Sequence, residues 1–105
     1  MNKYLLKLYI AGHTSRSVKA LYNLRQMCEK ELAGRYELEI IDVLENPQRA
    51  EDAKVMVTPM VIRELPPPVR RVIGDLSECD KVLIGLDLVA LFPENQDPEN
   101  AKNRT

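Results

Sequence analysis

The chain has no tryptophan, one phenylalanine, one histidine and two cysteines. A core built without Trp and almost without Phe must rely on Leu, Ile and Val, and 105 residues leave room for one domain only. His13 alone cannot make a multi-histidine metal site. Cys28 and Cys79 lie far apart and form no C-x-x-C pair, so neither a metal centre nor a redox dithiol is signalled, and both read as small apolar residues. An excess of one charge is also missing. Fifteen basic and sixteen acidic residues leave a formal net charge of −1, which offers no field for a phosphate backbone and excludes nucleic acid from the expected partners. No glycine-rich phosphate loop is present, and no pair of carboxylates is marked as sharing a site among Asp42, Asp75 and Asp87. The apolar segment near the N-terminus is too short to span a bilayer and has neither a basic leader nor a small-residue cleavage site. A soluble cytoplasmic protein without membrane contact and without a cofactor is therefore expected.

What is present begins with a βαβ unit. Tyr4 to Ile10 is nearly continuous in apolar residues, as in a central strand covered on both faces. Ser15 or Ser17 can cap a helix whose stripe is Val18, Leu21, Cys28 and Leu32, flanked by Leu24 and Met27 and ended by Gly34. Tyr36 to Val43 alternates, with Tyr36, Leu38 and Ile40 on one face and Glu37 and Glu39 on the other. Asn46-Pro47 then predicts a short helix to about Val55, with Asn as cap and Pro in the first turn.

The second half of the chain is marked by proline. Thr58-Pro59 opens an extended run and is a place where a cis bond can be used, while Pro66, Pro67 and Pro68 separate Met60 to Leu65 from Val69 to Ile73 as the two arms of a hairpin. Ser77 to Asp80 has the form of a capping box. The following Val82 to Val89 is undecided between helix and strand, because its β-branched residues and interior Gly85 both disfavour a helix. The predicted order is βαβαββα, that of a thioredoxin-like domain over residues 1–92, with a polar tail over 93–105 expected to be disordered. Conflict between a helix cap and a strand-like run permits a second packing within a few kcal/mol.

Candidate chemistry is sparse. A thioredoxin-like redox dithiol would sit between the first strand and first helix, where this chain has Gly12-His13-Thr14-Ser15-Arg16 and no cysteine. His13 beside two hydroxyls lacks the orientation that a nucleophile and base need, so no catalytic residue is assigned. Lys54, Arg63, Arg70 and Arg71 can form a basic patch suited to an acidic protein surface. A binding function leads.

The segments L-P-P-P-V-R-R-V-I-G-D-L-S at Leu65 to Ser77 and K-V-L-I-G-L-D-L at Lys81 to Leu88 closely resemble the KaiB family of circadian clock proteins. L-K-L-Y-I-A-G at Leu6 to Gly12, I-I-D-V-L-E-N-P at Ile40 to Pro47 and V-T-P at Val57 to Pro59 resemble it too. The resemblance implies a non-enzymatic, metamorphic regulator with two folds. One is a resting βαββααβ form, a homo-oligomer that is usually a tetramer and otherwise a dimer; the other is a thioredoxin-like monomer that binds the KaiC ATPase, helps sequester KaiA and competes with the kinase SasA. By the same resemblance Gly85 and Asp87 lie in the switching segment, Pro59, Pro66, Pro67 and Pro68 match prolines that accompany the switch, and Lys19 and Lys54 match basic positions on the ATPase-facing surface. Glu39 and Glu45 stand where cyanobacterial members commonly carry lysine. The resemblance suggests a divergent homologue of non-cyanobacterial type, acting on its own KaiC-like ATPase. Its alternatives are a stress-adaptation protein or oligomeric scaffold that does not bind KaiC, or a thioredoxin-like redox enzyme, which the missing C-x-x-C disfavours.

Overall fold

In the computed structural model of the chain, residues 3–88 are described. Their order is β1 (Tyr4–Ile10), α1 (Ser15–Glu31), β2 (Tyr36–Asp42), α2 (Pro47–Asp52), β3 (Met60–Leu65), β4 (Arg70–Ile73) and α3 (Cys79–Gly85). This is the expected thioredoxin-like arrangement. The tail and residues 89–92, for which disorder and the end of the domain were expected, lie outside the described residues.

Strand β1 is apolar apart from Lys7 because it is interior. The sheet order is β2-β1-β3-β4, with β1 parallel to β2 and antiparallel to β3, and β3 antiparallel to β4. Alternation sends Leu6, Leu8 and Ile10 to one face, where Ala20, Leu24, Met27 and Leu32 cover them together with Val82 and Leu86 from the α3 region. Tyr9 points to the opposite face and packs with Ile41, Met60 and Ile62, against which Ala53 and Val55 from the end of α2 are placed. The first face holds most of the buried apolar residues. Strand β2 is an edge, and its alternation is visible as half-buried Tyr36, Leu38 and Ile40 between exposed Glu37 and Glu39.

Each of the three helices corrects an expectation. In α1 the N-cap is Thr14, whose Oγ1 accepts from the Ser17 N–H at 3.1 Å, so neither Ser15 nor Ser17 is the cap. Packing on the sheet buries Ser17, Ala20, Leu24, Met27 and Cys28 of α1 and leaves Val18 55% exposed. Leu24 and Met27 are thus core rather than flank, and Gly34 follows the helix with φ +74 as a left-handed stop. Helix α2 ends at Asp52, short of Val55, because Lys54 turns to φ 56. Its Asn46 makes no side-chain cap bond, and the Nδ2 instead donates to the Asp42 carbonyl at 3.1 Å. Helix α3 starts at Cys79 with Glu78 as an N-cap that makes no side-chain cap bond, its carboxylate pairing with Lys81 at 3.1 Å instead. The capping box is not formed, since the Ser77 N–H is taken by Asp75 Oδ1 at 3.1 Å.

Local preference left Val82 to Val89 undecided. Packing of Val82 and Leu86 on the sheet makes the part through Gly85 helical. Among the described residues no helix is long and apolar enough to cross a membrane.

Candidate functional site

The end of the sheet where β1 and β2 finish and β3 begins is where a thioredoxin-like domain carries its redox chemistry. Here Gly12, with φ +72, lets the chain leave β1, and its N–H donates to Asp42 Oδ1 at 3.1 Å, which ties the loop to the end of β2. The Thr14 hydroxyl that caps α1 also donates to Ser17 Oγ at 3.0 Å. Both hydroxyls serve the helix start, and His13 is exposed beside them. Cys28 is far along α1 and buried, and desolvation pushes its thiol up to about 12, so it stays protonated at neutral pH. Burial also raises half-buried Cys79. The arrangement supplies neither a thiolate nor an oriented base at the helix start. Among the described residues no cluster of three or more His, Cys, Asp or Glu can hold a metal ion.

Two other sets of residues carry the functional candidates. Lys19 lies on the exposed side of α1, close enough to Asp75 to help hold its carboxyl below the usual range, although the hydrogen bonds from Ser77 do most of this. Lys54 follows α2 and is also exposed. Because α1 and α2 cover opposite faces of the sheet, the structure does not bring these two lysines into one patch. The basic patch read from Lys54, Arg63, Arg70 and Arg71 is likewise dispersed. In the β3–β4 register Arg71 opposes Ile62 and sits on the α2 face, where its guanidinium donates to the carbonyls of Ala53 at 2.6 Å and Lys54 at 3.3 Å. Arg63 is on the other face and only 4% exposed. Alternation along β3 and β4 separates charges that are close in sequence.

The switch candidates are brought together more closely. Pro59 is buried at the start of β3, and its carbonyl accepts from the Gly74 N–H at 3.0 Å, which closes the far end of the hairpin. The bonds preceding Pro59, Pro66 and Pro68 are cis. Gly85 ends α3 directly over β4: a Cβ there would stand 2.6 Å from Val72 Cγ2. Asp87 has φ 55, and its carbonyl accepts from Arg63 Nη1 at 3.1 Å, while Arg63 Nη2 donates to the Pro68 carbonyl at 2.9 Å. Gly85, Asp87 and Pro68 are therefore gathered by Val72 and Arg63, two residues the sequence reading did not assign to the switch. The available signal was Arg63 standing in phase with Val61 inside the apolar run M-V-I-R-E-L.

On the α2 face Glu39 is paired. Arg49 engages it through both guanidinium nitrogens, at 2.6 and 3.0 Å, and holds its carboxyl below the usual range. Nearby, Lys7 pairs with Glu64 at 2.9 Å. Glu45 is exposed.

The described residues form a small thioredoxin-like α/β domain whose helix start carries no thiol. The chain belongs to the KaiB family, whose domain model matches residues 7–88. It is 54% identical over 89 residues to circadian clock protein KaiB3 of a Synechocystis species, covering 85% of this chain and 87% of that protein. It is 59% identical over 86 residues to circadian clock oscillator protein KaiB of Thermostichus vulcanus, covering 82% of this chain and 80% of that protein. Among solved structures, the N-terminal domain of SasA from Synechococcus elongatus has the same fold, with a TM-score of 0.68 and 21% identity over 83% of this chain and 86% of that one.

Proposed function

We propose that this protein is a non-enzymatic clock-type regulator that docks on a KaiC-like ATPase in its thioredoxin-like form and rests as a homo-oligomer in a second fold. The observation that carries the reading is the fold itself. A KaiB-family chain has here the fold of the SasA N-terminal domain, the arrangement in which a KaiB-type protein and a SasA-type kinase would compete for one ATPase surface. Lys19 and Lys54 are both exposed, as partner contacts must be. The bidentate Arg49 contact turns Glu39 into a neutral pair, so one of the two reversed charges no longer opposes docking.

The test mixes the protein with the KaiC-like ATPase from its own source in ATP- and ADP-loaded states and follows complex formation over hours by size-exclusion light scattering. Slow growth of a ring-sized complex that Lys54→Glu abolishes is the expected result. The absence of a complex in every nucleotide state overturns it, and leaves an oligomeric scaffold or stress-adaptation role.

A further inference from the structure

Arg63 is the one buried charged residue of the described chain, and its surroundings are unusual for a guanidinium. Its two terminal nitrogens each donate to a backbone carbonyl, Asp87 at 3.1 Å and Pro68 at 2.9 Å, and its Nε is buried without a partner. Among the described residues no carboxylate pairs with it. A buried cation normally obtains a counter-charge, because loss of hydration is otherwise poorly offset. What Arg63 receives instead are two carbonyls from two different pieces of the second half: the turn between β3 and β4, and the chain just beyond α3.

We infer that Arg63 is a clasp that favours the thioredoxin-like packing of the second half over any alternative. The inference rests on the reading that such an alternative is populated. Asp87 lies 24 positions from Arg63 in sequence and reaches it only because α3 packs across β4, with Gly85 against Val72. Any packing that lifts residues 79–88 from this face separates the Asp87 carbonyl from the guanidinium, which must then find new acceptors or water. Lysine cannot replace it fully. A guanidinium spreads its donors over a planar fork that reaches two carbonyls in different directions, whereas an ammonium is a compact and more strongly hydrated point charge.

The test compares the full chain with Arg63→Met, which keeps a long apolar stem, and Arg63→Lys, which keeps the charge. Amide hydrogen exchange and two-dimensional amide NMR report each region separately. Both variants are expected to lose at least tenfold of the protection of α3 and β4 amides relative to α1 and β1. If wild type shows two sets of signals, both variants lower the thioredoxin-like set by a similar factor. Unchanged protection of α3 and β4 in a folded Arg63→Lys overturns the clasp. A single set of signals in wild type, with protection still lost in the variants, overturns the two-fold reading while retaining Arg63 as the local fastening of α3. Should Arg63→Met fail to fold, Arg63→Lys decides alone.

Discussion

The first half of the chain and the second are held together differently. Through β2, helix α1 has a side-chain cap and buries five residues, and the fully buried Leu6, Leu8, Leu24 and Leu32 form the centre of the core. From α2 onward, neither helix has a side-chain cap bond, α2 buries nothing, and α3 buries only Val82 within its span. All three non-glycine residues with positive φ among those described, Lys54, Leu76 and Asp87, lie in this second half. Left-handed backbone costs an L-residue about 1 to 2 kcal/mol. The first half is thus supported by local preference and packing together. The second is held by tertiary contacts against local preference, which is the condition under which one sequence can keep two packings close in free energy.

The contrast is tested most strongly by cutting the core. Leu24→Ala removes a fully buried side chain on which both α1 and β1 depend. It is expected to cost about 2 to 5 kcal/mol and to lower the urea midpoint for probes in both halves. A loss confined to the second half would reverse the comparison.

Gly85→Ala is expected to act only on the second half. The new methyl meets Val72 Cγ2 at 2.6 Å, and a β-branched side chain cannot easily turn away. Overpacking of about 1 to 3 kcal/mol outweighs the gain of about 1 kcal/mol that alanine brings to a helix, the more so because Gly85 is the last helical residue. Exchange of α3 amides should accelerate while that of α1 stays constant, and adding Val72→Ala, which removes the obstructing methyl, should restore α3. Without that rescue, the role of Gly85 would lie in propensity rather than contact.

A smaller effect of opposite sign is expected at Lys54. With φ 56 it is strained as lysine, and Lys54→Gly should raise the melting temperature, by an amount corresponding to about 1 kcal/mol or less. Loss of the charge should at the same time weaken capture of the ATPase. Stability and binding would then move apart in one variant, which separates a docking role from a structural one.

The smallest effect is that of pH on the Glu39–Arg49 pair. Arg49 lowers the Glu39 pKa in the folded state, so the pair adds stability above the unfolded carboxylate pKa and loses it as pH falls through the lower folded value. Wild type and Glu39→Gln should therefore converge in melting temperature at acid pH and differ slightly at neutral pH, less so in high salt because both side chains are largely exposed. A difference that persists below the folded Glu39 pKa would show that the side chain acts by packing.

By itself the sequence determined the βαβαββ order of the chain through Ile73 and the central position of β1. A continuous apolar run needs cover on both faces, and the alternation from Tyr36 to Ile40 in β2 needs one face only. It determined the hairpin arms around the three prolines and, through motifs spread from Leu6 to Leu88, the family. Only the tertiary structure decided which way Val82 to Gly85 would go, because local preference was balanced there and burial of Val82 and Leu86 broke the balance. It alone decided that Thr14 and not a serine caps α1, since the choice among neighbouring hydroxyls depends on which one the chain leaving β1 brings to the free N–H groups. Alternation across the sheet dispersed the basic patch read from Lys54, Arg63, Arg70 and Arg71, turning Arg71 to one face and burying Arg63 in the other. The clasp to Asp87 was illegible for the same reason: a contact between residues 24 positions apart exists only after two separate elements have packed.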